Sequence, residues 1–143
     1  MKIFKSTNEA ETEKYGFEFA KKISAGAVIC LNGELGAGKT TFVKGLARGF
    51  GVTSRIVSPT YVIIREYEVL GSEIKKLYHL DLYRLTSRKD ILGINLHQLL
   101  NDKSAVTVIE WPRVAENFVP KNAWTIDFES LDVSIRTISI KHT

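Results

Sequence analysis

The stretch AVICLNGELGAGKTTF, Ala27 to Phe42, runs from an apolar segment through a glycine-rich loop into a helix-forming pattern. An apolar run without alternation belongs to a strand buried on both faces, the habit of a parallel sheet covered by helices. The helical pattern that follows carries Phe42, Val43, Leu46, Ala47 and Phe50 at helical spacing and stops at Gly51. Between the two, Gly33-Glu34-Leu35-Gly36-Ala37-Gly38-Lys39-Thr40 satisfies G-x-x-x-x-G-K-[ST] without substitution. Glycine lets successive backbone N–H groups converge on one anion, and the helix start adds unpaired N–H groups and the positive end of its dipole. Lys39 brings a point charge for β- and γ-phosphates, and Thr40 a hydroxyl ligand for Mg²⁺.

The rest of the chain is read around this strand–loop–helix unit. A capping-box spacing, Ser6 to Glu9, predicts a first helix from about Asn8 to Ser24. TYVIIREYEVL and EIKKLYHLDLY are rich in β-branched and aromatic residues and flank GSE, which predicts a hairpin. SRKDILGINLHQLLND reads as two short helices broken near Gly93, and AVTVIEW as another buried strand. Pro112 begins a short helix in PRVAENF. AWTIDFES and DVSIRTISIKH form a second hairpin about Leu131-Asp132. The expected fold is α/β: a P-loop NTPase-type sheet with a mostly parallel core, added antiparallel hairpin strands and flanking helices. Residues 1–143 are expected to form a single domain.

At 143 residues the chain is long enough to bury a substantial core. Its formal charge of +4 comes from Lys and Arg interspersed with Asp and Glu, so no basic tail for nucleic acid is present. A single cysteine, Cys30, excludes an intramolecular disulfide and suits a reducing compartment. No stretch approaches the length of a membrane span, and the N-terminus turns charged before a signal-peptide core forms. The expectation is a soluble, cytoplasmic protein.

Three later segments are candidates to act on a bound phosphate. In AVTVIEW, Glu110 ends a buried strand, where a carboxylate binds Mg²⁺ or orients a water for attack. In HLDLYRL, Asp81 and Arg84 admit two readings: water or metal positioning with charge stabilisation, or an ordinary local ion pair. In SPT, Ser58 to Thr60, Thr60 suits a switch that closes onto a γ-phosphate, and Pro59 equally suits a plain strand entry. His79, His97 and His142 show no metal-ligand spacing and are read as structural or surface residues. Trp111 is read as a packing residue next to the site.

GELGAGKTTF, SPTYVIIREY, HLDLYRL and IEWP, in this order and spacing, resemble the TsaE family of small bacterial P-loop ATPases. The resemblance covers about Asn8 to Pro112. It implies an ATPase needed for threonylcarbamoyladenosine formation at position 37 of transfer RNA, with ATP and ADP as nucleotides and Mg²⁺ as cofactor. It also implies TsaD and TsaB family proteins as partners, tRNA being reached indirectly through that complex. Carried over residue by residue, it gives Lys39, Asp81 and Glu110 catalytic roles and puts Mg²⁺ on Thr40 and Glu110. Residues 33–41, from Gly33 through Thr41, would hold the nucleotide, and Ser58 and Thr60 would form a switch-like loop. Glu34 stands where the family commonly has Asp, with its side chain expected to point away from the phosphates. The C-terminal hairpin carries no motif to match.

A small-molecule P-loop kinase is the alternative, but the strand-like stretch from Ile56 to Arg84 leaves little chain for an arginine-rich lid. No Asn-Lys-x-Asp segment for guanine occurs. A nucleotide-gated binding module shades into the ATPase reading, since turnover is expected to be weak alone and to depend on partners.

Overall fold

The computed structural model describes residues 1–59 and 62–142. Its strands are β1 (Lys2–Ser6), β2 (Val28–Asn32), β3 (Ile64–Glu68), β4 (Lys76–Asp81), β5 (Ala105–Glu110), β6 (Trp124–Ser130) and β7 (Arg136–His142). The helices are α1 (Glu9–Ala20), α2 (Lys39–Phe50), α3 (Arg88–Leu92) and α4 (Leu96–Leu100), with a 3-10 turn at Pro112–Ala115. The strands form one sheet in the order β1-β7-β6-β2-β5-β4-β3. Its middle, β6-β2-β5-β4, is parallel, while β7 and β3 run antiparallel to their inner neighbours and β1 antiparallel to β7. This is the expected α/β plan with both predicted hairpins in place.

Strand β1 was not expected. KIFKS is exposed over much of its length and lacks a continuous apolar face; its pairing comes from β7, where Lys2 meets Ile140 and Ser6 meets Arg136. The start of α1 also shifts from the predicted capping box. Asn8, not Ser6, is the N-cap, its side chain accepting the Glu11 N–H at 2.8 Å. Ser6 is occupied instead, its hydroxyl 2.7 Å from that of Thr12 and donating to the Asn8 carbonyl. The helix ends at Ala20, before the predicted Ser24, where N–H groups of the next three residues bond three positions back.

Alternation sorts the buried strands onto two cores. Ile29 and Leu31 of β2, with Val106 and Val108 of β5, face α1 and α2. Val28 and Cys30, with Ile109, face α3, α4 and the 3-10 turn. On the first face Phe42 and Leu46 are wholly buried, each worth about 1.5–3 kcal/mol of transfer free energy. Helices α1 and α2 approach closely enough for backbone contact. A Cβ on Gly45 would lie 1.8 Å from the Glu13 carbonyl oxygen, and one on Gly16 2.2 Å from that of Phe42. On the second face Cys30 is a buried free thiol, its pKa pushed up to about 11 by burial, and so a poor nucleophile.

Candidate functional site

The loop from Gly33 to Gly38 leaves the end of β2 and delivers the chain to α2. Gly33 has φ +151°, and a Cβ there would lie 2.8 Å from the Phe128 carbonyl oxygen. Gly38, the N-cap of α2, has φ +102°, a left-handed backbone that suits glycine. No side chain caps the first turn of α2, and its residues open on a cavity of about 470 Å³. Lys39, Thr40 and Thr41 line this cavity together with Leu35, Gly36 and Gly38.

The opposite wall comes from β4 and β5. These strands are parallel and in register, with Asp81 opposite Glu110. Counting back by two along each strand leads to Leu77 and Val108, which face α2. Asp81, His79 and Glu110 therefore share the α2 face and stand at or near the carboxyl ends of their strands, where open α/β sheets bind ligands. Asp81 and Glu110 both line the cavity and are 4% and 3% exposed.

The walls meet at Glu110. Its Oε2 accepts from the Thr40 hydroxyl at 3.2 Å and lies 2.5 Å from His79 Nε2. Asp81 accepts the Tyr83 N–H at 3.0 Å through Oδ1, which closes the turn after β4. The Lys39 ammonium donates to the Gly33 carbonyl and sits 3.8 Å from the centre of the Trp111 ring. Burial pushes the Lys39 pKa below the usual lysine range, opposed by Glu110, Asp81 and Glu34 in that order. Trp111 is thus more than filler: it holds the lysine on one side and packs on Tyr83, ring centres 4.9 Å apart, on the other.

Of the sequence-predicted residues, the fold brings together Lys39, Thr40, Thr41, Asp81 and Glu110 in one cavity. Ala37 is buried behind the loop, and Glu34 is exposed. Ser58 and Arg84 are exposed and do not line the cavity; Thr60 lies outside the described residues. His97 and His142 sit apart, one exposed beside Asn101 and the other stacked on Trp124.

Two participants escaped the sequence reading. His79, read as structural or surface, is buried against Glu110; the one signal for that contact was its place two residues before Asp81, hence on the same strand face. Arg136 reaches across from β7, donating at 3.0 Å to the Gly36 carbonyl and at 3.2 Å to that of Val133. It lines the cavity with Asn8 and Thr12 of the α1 region, so the hairpin without a motif closes that end.

Among the described residues no group of three or more His, Cys, Asp or Glu side chains is placed to hold a metal. One carboxylate beside one hydroxyl is instead the sparse donor set on which Mg²⁺ binds when substrate phosphates and waters complete its shell. The arrangement as a whole offers an anion cradle on one wall and hard oxygen ligands on the other.

A family model described as Threonylcarbamoyl adenosine biosynthesis protein TsaE matches residues 6–138. The tRNA threonylcarbamoyladenosine biosynthesis protein TsaE of Treponema pallidum is 34% identical over 135 residues, covering 94% of this chain and 96% of that one. Its counterpart in Borreliella burgdorferi is 36% identical over 118 residues, with 80% and 83% covered. A solved structure, titled as the crystal structure of Bacillus subtilus YdiB, aligns with TM-score 0.81 and 31% identity over 99% of this chain and 84% of that one. With a matching family model over nearly the whole chain, full-length relatives and a shared fold, the chain belongs to the TsaE family.

Proposed function

We propose that this chain binds and hydrolyses ATP in support of tRNA threonylcarbamoyladenosine biosynthesis, acting with TsaD and TsaB family proteins. The observation that carries the reading is the meeting of Thr40 with Glu110 at 3.2 Å, beside a glycine loop and α2 N-terminus that open into one cavity. In this reading the loop N–H groups from Gly36 to Thr41 cradle the phosphates and exclude water from one side of them. Lys39 leaves its Gly33 carbonyl to pair with phosphate oxygens, a stronger charge-assisted bond. Thr40 and Glu110 would hold Mg²⁺, which when bound neutralises charge developing on the phosphate oxygens. Asp81, in register with Glu110, shares with it the orientation of the attacking water.

Partner dependence is supported by the openness of the Leu35 side. Leu35 is 64% exposed and Val133 91% exposed, both on the cavity lining, so two large apolar side chains stand uncovered at this rim.

The test is phosphate release from ATP by the chain alone and with TsaB and TsaD family proteins added. Lys39→Ala is expected to weaken nucleotide binding about 10- to 100-fold, the worth of a charge-assisted bond. Glu110→Ala is expected to spare most of the affinity and cut turnover about 100-fold. Equal loss of affinity in the two variants would sink this division of roles. ADP formation without free phosphate, in the presence of a small hydroxyl-bearing acceptor, would show a kinase instead.

A further inference from the structure

His79 is fully buried, yet only one of its ring nitrogens has a partner among the described residues. Nε2 lies 2.5 Å from Glu110 Oε2, and Nδ1 is buried without a hydrogen bond. A carboxylate only accepts, so Nε2 carries the proton and donates. In the neutral ring Nδ1 is then a lone pair, with no donor facing it among the described residues. Packing alone does not account for this choice, since an apolar side chain would fill the same space with no nitrogen to desolvate.

The direction of that single bond is informative. β4 and β5 pair in register, so His79 stands beside Val108 and one diagonal step behind Glu110, on the same face. Glu110 is the strand's last residue, and beyond it the chain turns into Trp111 with φ +57°. Without an anchor from the neighbouring strand, the carboxylate of a strand-terminal glutamate has several rotamers open to it. With Nε2–H fixed to Oε2, the carboxylate is turned so that both its oxygens lie within 3.5 Å of the Thr40 hydroxyl.

We propose that His79 is a positioning residue for Glu110, setting the carboxylate against Thr40 in the orientation that a Mg²⁺-bound nucleotide requires. The proposal rests on the ATPase reading above for what Glu110 does, but the hydrogen bond and its orienting effect are testable apart from turnover. Orienting partners behind ligating groups are commonly worth 10- to 100-fold in metal affinity or activity.

The experiment compares the wild-type chain with His79→Leu, which keeps the bulk and removes the donor, and His79→Gln, whose amide nitrogen reaches about the place of Nε2. Thermal melting first confirms that each is folded. Binding of a fluorescent ADP analogue is then titrated with and without Mg²⁺. His79→Leu should spare most of the nucleotide affinity with and without Mg²⁺ and cut both kcat and kcat/KM about tenfold or more, with KM for ATP nearly constant. His79→Gln should recover most of both. Nitrogen-15 NMR of imidazole-labelled wild-type chain should show His79 as a single Nε2–H tautomer, lost as a fixed species in Glu110→Ala.

Full kcat in folded His79→Leu would overturn the proposal, as would a His79→Gln variant no better than His79→Leu. If the wild-type chain shows no Mg²⁺-dependent nucleotide binding, the ATPase reading fails by itself. The NMR comparison then decides the positioning claim: an Nε2–H signal unchanged in Glu110→Ala overturns it. If His79→Leu does not fold, His79→Gln and the NMR comparison carry the decision.

Discussion

The two helical layers that cover the sheet are built on different terms. One is a pair of 12-residue helices, α1 and α2, packed so closely that glycines at 16 and 45 leave no room for a methyl group between backbones. The other is assembled from two five-residue helices, α3 and α4, and a four-residue 3-10 turn, each held by a few buried side chains such as Ile91, Leu96 and Ala115. The tight layer carries Lys39 and Thr40 on the first turn of α2, so the loop's position is fixed by helix docking. The looser layer begins with the turns that follow Asp81 and Glu110, and it supplies Trp111 to the cavity, with Tyr83 packed against that ring. Rigidity is thus concentrated where an anion would be cradled, and adjustable chain where it would be covered.

The contrast is exposed most severely by Gly45→Ala. The added carbon would meet backbone, which cannot rotate away, so α1 and α2 must separate. Overpacking of this kind costs about 3 kcal/mol or more, and melting should fall steeply with nucleotide binding lost alongside it. A Gly45→Ala chain that melts like wild type would mean the layer is as pliant as its opposite. Ser87→Ala probes the looser layer, where Ser87 and Asp90 form the capping box of α3. The contacts are exposed and the helix short, so a loss of about 0.5–1 kcal/mol is expected from denaturant unfolding. Smallest, and opposite in sign, is Gly93→Ala. Gly93 has φ −76°, and an added Cβ meets nothing closer than the Asp90 carbonyl oxygen at 3.5 Å. This variant should be neutral or gain up to about 0.5–1 kcal/mol by restricting the unfolded chain. A large loss there would show that the second layer is as closely fitted as the first.

What was legible in the sequence follows the range of the interactions concerned. The loop and its flanking strand and helix are contiguous, so Gly33 to Thr41 announce themselves by local chemistry. Glu110 was legible because a carboxylate ending an apolar run is conspicuous, whereas Asp81 admitted two readings from its residues and owed its role to the family resemblance. The two hairpins were legible from their β-branched runs and turns. β1 was not, because its partner lies in β7 at the far end of the chain and its own residues are half polar. Ser6 was a reasonable cap until β1 claimed it, which moved the cap to Asn8. His79 depends on the β4–β5 register, its place on the strand face of Asp81 being the only local hint, and Arg136 depends on where β7 meets the loop, which has no local trace.

The pairing of β1 with β7 has a consequence for how the molecule is made. Residues 2–6 leave the ribosome well before their partners, residues 136–140, are synthesised. The same late strand brings Arg136 to the Gly36 carbonyl, and the turn before it brings Val133 and Ser134 to the cavity. Closing so long a segment adds little entropy over closing a moderate one, so the delay is one of synthesis more than of search. A nascent chain can dock α1 on α2 and pair β2 with β5 well before that. Its cavity stays open on one side until β7 is in place, so chains made only as far as β6 lack a finished site.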